Sequence, residues 1–106
     1  MRSGSYSPMA FEALTVDNTV GGVGLSSSSY TVAGQQATWA EITIDSETGP
    51  IRFRIDGGAP TTSSGHHVVA GQTIILRNTD EIRQFRGIRT GATSATCQVT
   101  YWRNPT

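Results

Sequence analysis

Between Ala40 and Ile55 apolar and polar residues alternate with the period of two that marks half-buried strands. Ala40, Ile42 and Ile44 fall on one face, and Glu41, Thr43 and Asp45 on the other. After Ser46-Glu47-Thr48-Gly49-Pro50 the alternation resumes, with Ile51, Phe53 and Ile55 facing one way and Arg52 and Arg54 the other. Two such runs joined by a short Gly-Pro loop predict a hairpin. The same period recurs at residues 11–16 and near the C-terminus, where Ala95, Cys97, Val99 and Tyr101 share a face. Tyr101 and Trp102 are neighbours on that strand, so one is expected in the core and the other outside.

The remaining elements are short. Residues 20–25 read as a glycine-loosened strand, 26–29 as a polar loop and 30–32 as a brief strand before a turn at Gly34-Gln35-Gln36. His67-Val68-Val69 and residues 72–76 flank an Ala70-Gly71 turn, residues 85–89 form another strand, and 90–94 turn into the last one. Asn78 or Thr79 can cap a helix with acids in its first turn, which predicts one helical turn through Gln84. About seven or eight short antiparallel strands punctuated by Gly, Pro, Ser and Asn predict an all-β, single-domain β-sandwich; jelly-roll connections are one way to join them. Residues 1–10, rich in Ser and Gly and without periodicity, are expected to be a flexible N-terminal arm, leaving 11–106 as the sandwich.

At 106 residues the chain has the size of one domain. A single core layer between two sheets leaves little room for a deep cleft as well, which weighs against an enzyme. Formal net charge is zero, so neither nucleic acid nor a membrane surface is an expected partner. No apolar run reaches the roughly 20 residues that span a bilayer, and the N-terminus lacks the apolar stretch of a signal peptide. All 8 basic residues are arginine, a side chain suited to interface ion pairs. The one cysteine, Cys97, lies in phase with the apolar face and reads as a core residue.

Candidate chemistry is sparse. His66 and His67 are adjacent, and on a strand their rings would point to opposite faces, so they could not share a metal. A triad from Ser63 or Ser64, His66 and Asp56 has residue types but no Gly-x-Ser-x-Gly elbow. No catalytic residue, metal ligand or cofactor is therefore assigned. Trp39, Tyr101 and Trp102 are the aromatics that could line an interface or a sugar platform. Arg52 and Arg54 form either a solvated strand face or a stripe for a partner's carboxylate or phosphate groups.

The stretches Ala40 to Ile44, Pro50-Ile51-Arg52-Phe53-Arg54-Ile55-Asp56-Gly57, Ala59-Pro60-Thr61, Gly65-His66 and Gly71-Gln72-Thr73-Ile74, then Ile82, Phe85, Ile88 and Arg89, and Val99-Thr100-Tyr101 carry a resemblance. Together they resemble a family of small virion structural proteins of tailed bacteriophages. The resemblance implies a particle component without catalytic residues, made in the bacterial host cytoplasm. Within that class a capsid decoration or cement protein is favoured, bound to the major capsid protein or another virion protein on the capsid surface. A homo-oligomer, a trimer by preference, is expected. A neck, head-fibre or tail-baseplate component is the alternative, and a carbohydrate-binding module for host glycans is a different class. Tyr6, Met9, Arg52, Arg54 and Trp102 are the expected partner contacts, the first two because the arm offers apolar groups to bury.

Overall fold

The computed structural model describes residues 7–45 and 47–103. The chain runs β1 (Ser7–Val16), α1 (Ser27–Tyr30), β2 (Thr31–Val32), β3 (Gln35–Gln36), β4 (Trp39–Ile44), β5 (Ile51–Arg54), β6 (His66–Val68), β7 (Thr73–Leu76), α2 (Thr79–Gln84), β8 (Arg86–Arg89) and β9 (Ala95–Arg103). The strands form three antiparallel sheets: β1-β9-β4-β7, β6-β5-β8 and the small pair β2-β3.

The period of two decides what each strand buries. Leu14 and Val16 of β1, Ala40, Ile42 and Ile44 of β4, Ile74 and Leu76 of β7, and Ala95, Cys97, Val99 and Tyr101 of β9 all point inward. They meet Ile51 and Val68 of the three-stranded sheet, together with Ile82 and Phe85 from α2 and its end. The domain is thus mostly β, with one shared core. Cys97 and Tyr101 are fully buried as the alternation requires, while Trp102 turns outward.

The expected hairpin of β4 on β5 does not form. β4 pairs with β9 and β7, whereas β5 pairs with β6 and β8 in the other sheet. The chain changes sheets between Asp45 and Pro50: Asp45 still donates its N–H to Thr96 O of the large sheet at 2.9 Å, and Pro50 O already accepts from Thr90 N at 3.0 Å. Ile44 and Ile51, on either side of this crossing, are both fully buried. Alternation states that one face is buried, and two strands facing each other across a core satisfy it as well as two paired side by side.

Other boundaries also move. β1 begins at Ser7, so residues 7–10 belong to the sheet and not to a flexible arm; Pro8 lies opposite Trp102 and Ala10 opposite Tyr101 across a bulge. Residues 20–25 contribute one bridge, Val23 to Gly87, in place of a strand. The expected turn at 34–36 is instead the tip and second strand of a hairpin. Ala33 and Gly34 have φ of 53° and 80°, the two positive values that a tight twisted hairpin needs.

Two short helices replace the single expected turn. α2 is capped as predicted: Asn78 Oδ1 accepts from Glu81 N at 2.9 Å, and Glu81 Oε1 accepts from Arg77 N at 2.8 Å. Ile82 anchors it in the core. α1 has no such sequence signal. It is held by burial of Tyr30 against Tyr101, ring centroids 6.1 Å apart, and by Ser26, which donates N–H and Oγ–H to the Glu12 carboxylate.

The two flanks of the core differ. On the β1/β8 flank Arg89 N donates to Asp17 O at 3.0 Å, and Val23 and Gly87 exchange backbone bonds of 2.7 and 2.9 Å. The β6/β7 flank opens into a groove of about 470 Å³, with Phe53, Ile55, Val68, Ile74 and Leu76 on its walls.

Candidate docking surface

The residues opposite in phase to the core make up the outer face of the four-stranded sheet. One row crosses all four strands: Phe11, Thr100, Glu41 and Ile75 lie opposite one another in register. The next row places Trp102 beside Trp39, and the row on the other side holds Ala13, Gln98, Thr43 and Thr73. Phe11 is 59% exposed and Ile75 49%, values that the core side of the same strands nowhere approaches.

The tryptophans determine the shape of this face. Their rings are parallel within 3°, with centroids 5.0 Å apart, so each ring covers one face of the other. Trp102 Nε1 donates to Glu41 Oε1 at 3.3 Å, which sets the carboxylate against the indole pair. Just past the end of β4, Asp45 Oδ2 accepts from Gln98 Nε2 at 3.2 Å. Among the described residues the ion pairs are Arg54–Asp56 and Arg83–Asp80, so neither Glu41 nor Asp45 has a cationic partner there. The result is a surface with Phe11 and Ile75 on its two edge strands and a carboxylate between them.

The expected partner contacts do not form one patch. Trp102 belongs to this face. Arg52 and Arg54 sit on the other sheet and serve their own loop. Arg52 donates from Nε to Thr62 O at 3.1 Å and from Nη1 to Gly65 O at 2.8 Å. Arg54 grips both oxygens of Asp56, at 3.0 and 2.6 Å, and this hydrogen bonding, with a further bond from Gly58 N, lowers the Asp56 pKa to about 2. Met9 is half-buried against the chain's own core. Tyr6 lies outside the described residues.

His66 and His67 do point to opposite faces. His66 lies across from Phe53, ring centroids 5.4 Å apart, and His67 across from Arg52. Asp56 and His66 line a cleft of about 170 Å³, but both carboxylate oxygens of Asp56 are taken by Arg54, which leaves it poorly placed to orient an imidazole. Among the described residues no group of three or more His, Cys, Asp or Glu side chains could hold a metal ion. No described helix is long and apolar enough to cross a membrane.

The sequence reading missed Phe11, Ile75 and Glu41 as members of one surface. The first two carried a signal: each is a large apolar residue at a position whose strand phase is outward. That signal becomes legible once Leu14, Val16, Ile74 and Leu76 are known to be the inward set. No protein-family model matches the chain, no curated protein matches its sequence, and no solved structure matches its fold.

Proposed function

We propose that this chain is a non-catalytic structural protein of a tailed-phage particle, docking on the outside of the head as a decoration or cement protein. The observation that carries the docking role is the outer face of the four-stranded sheet, where Phe11 and Ile75 stand exposed on its two edge strands and Glu41 and the stacked Trp39–Trp102 pair lie between them. Isolated exposed apolar side chains are ordinary, whereas two of them sharing one open sheet face with a pair of tryptophans point to an interaction surface. The resemblance to phage virion proteins supplies the particle. We read the two larger sheets as the leaves of a sandwich, since Ile44 and Ile51 meet in one core. Its jelly-roll connectivity remains part of the proposal.

The size of the face bears on how it works. Four strands about 4.8 Å apart and some six residues long cover roughly 400 Å², half of what each partner buries in a stable interface. A single copy would bind weakly. Many copies, or a homo-oligomer such as a trimer, would hold firmly by avidity. The parallel indole stack also favours protein over glycan as the partner, because rings that cover each other have less face to offer a sugar.

The test uses particles from a phage lacking the coding gene, incubated with purified protein. Head decoration predicts hundreds of copies per particle and greater resistance to thermal rupture. Phe11→Ser combined with Ile75→Ser, both solvent-facing changes, is expected to lower occupancy while the melting temperature stays close to that of the parent. Full occupancy by this variant would refute docking through this face, and a single ring of copies would move the protein to the neck or tail.

A further inference from the structure

Given that docking role, we infer that the partner inserts an arginine or lysine side chain into the outer face, against Glu41 and beside the Trp39–Trp102 stack. Glu41 sits where such a group would be held from several sides. Thr100 and Ile75 flank it across the strands, Phe11 lies one strand farther, and Trp39 is two residues along its own strand. Its Oε1 takes one indole N–H, and that bond leaves the negative charge in place. Among the described residues no cation forms an ion pair with it.

A carboxylate against aromatic rings is matched by a guanidinium or ammonium. The planar cation lies beside the Trp102 indole while donating to the carboxylate oxygens, and partial desolvation by Ile75 on the neighbouring strand strengthens both contacts. Asp45, the residue after β4, adds a second carboxylate, which accepts from Gln98 Nε2. A second copy laid face to face is disfavoured, because Glu41 would then approach its own counterpart near the two-fold axis. The cationic group has to come from a different surface.

The direct test titrates the protein with N-acetyl-arginine amide and follows the indole N–H resonances of Trp39 and Trp102 by NMR. N-acetyl-citrulline amide, of the same shape without the charge, is the control. Saturable shifts of the Trp102 resonance with the arginine compound, several-fold weaker with citrulline and in Glu41→Gln, are expected. Gln keeps an oxygen to accept from Trp102, so the fold is retained. Equal response to both compounds, or no response to arginine, overturns the inference.

Particle binding separates this failure from failure of the docking role. If a cation is received, Glu41→Gln weakens binding about tenfold and flattens its salt dependence. If Glu41→Gln binds like the parent while Phe11→Ser with Ile75→Ser does not, the face docks without a cation and the inference falls alone. Concentration-dependent association of the free protein, abolished by Glu41→Gln, would make the occupant a second copy and overturn the assignment as stated.

Discussion

Tyr101 and the half-buried Glu12 form a pair whose energetics can be worked out before any measurement. Tyr101 is fully buried, and its hydroxyl donates to Glu12 Oε1. Glu12 also accepts from N and Oγ of Ser26, at 3.2 and 2.8 Å, and so ties β1, β9 and the start of α1 together. Burial, then the Glu12 contact, holds the Tyr101 hydroxyl above its usual pKa, so it is a donor at neutral pH. Tyr101→Phe keeps the ring against Tyr30 and removes one bond to a charged acceptor. Such bonds contribute about 1.5–3 kcal/mol, and the lower end applies because Glu12 is half-buried and keeps Ser26. The expected loss is about 1.5 kcal/mol, or about 7 °C in Tm for a chain of this length.

Glu12→Ala is the harsher change. It removes the same bond, frees α1 from its tie, and strands a buried hydroxyl, which adds about 1–3 kcal/mol. In that background Tyr101→Phe removes the stranded group, so it is expected to be neutral or stabilising. The sign reversal is the diagnostic result, and a double-mutant cycle from urea unfolding with a constant m-value measures it. An equal cost for Tyr101→Phe in both backgrounds would show that the hydroxyl draws no stability from Glu12.

Two further outcomes follow from single side chains. Gly58→Ala would put a Cβ 2.5 Å from Arg54 Cζ and Nη2, so the exposed guanidinium swings away and Asp56 loses its main hydrogen bond. NMR titration should then find the Asp56 pKa raised from about 2 toward the ordinary value near 3.9. The sign is that of a depressed acid: the pair favours the fold above the ordinary pKa and loses that effect as pH falls through about 2. A pKa unmoved in the variant would contradict the assigned cause. Cys97, fully buried and pushed up to about 12 mainly by desolvation, with Asp45 adding to it, is expected to resist thiol reagents at pH 8 and to react at the rate of unfolding. Immediate stoichiometric labelling would place the thiol elsewhere than in the core.

How much of this was legible in the chain depends on whether a feature is local. The inward sets Ala40, Ile42, Ile44 and Ala95, Cys97, Val99, Tyr101 follow from alternation alone, and the α2 cap follows from Asn78 and the acids behind it. α1 did not follow. A run of serines has no helical bias, and it folds because Tyr30 and Ser26 find Tyr101 and Glu12, some 70 and 14 residues away. The start of β1 was hidden for a similar reason: Ser7 to Ala10 lack alternation of their own and are ordered by β9.

The site was less legible than the fold because a sheet surface is defined by register, which is a property of pairs of strands. Trp39 and Trp102 stand 63 positions apart in the chain and become one stacked unit through a single cross-strand pairing. Had β4 paired with β5, as the Gly-Pro loop suggested, Trp39 and Glu41 would have faced a different strand. Glu41 would then have had Arg52 or Arg54 within reach on the outward phase of its neighbour. The crossing between Asp45 and Pro50 separates those charges into two sheets. Arg54 finds Asp56, and Arg52 finds the carbonyls of its own loop. Glu41 is left with an indole N–H and no cation among the described residues. The connection that defeats the simplest reading of the sequence is therefore the one that leaves this surface a carboxylate without an ion pair among the described residues.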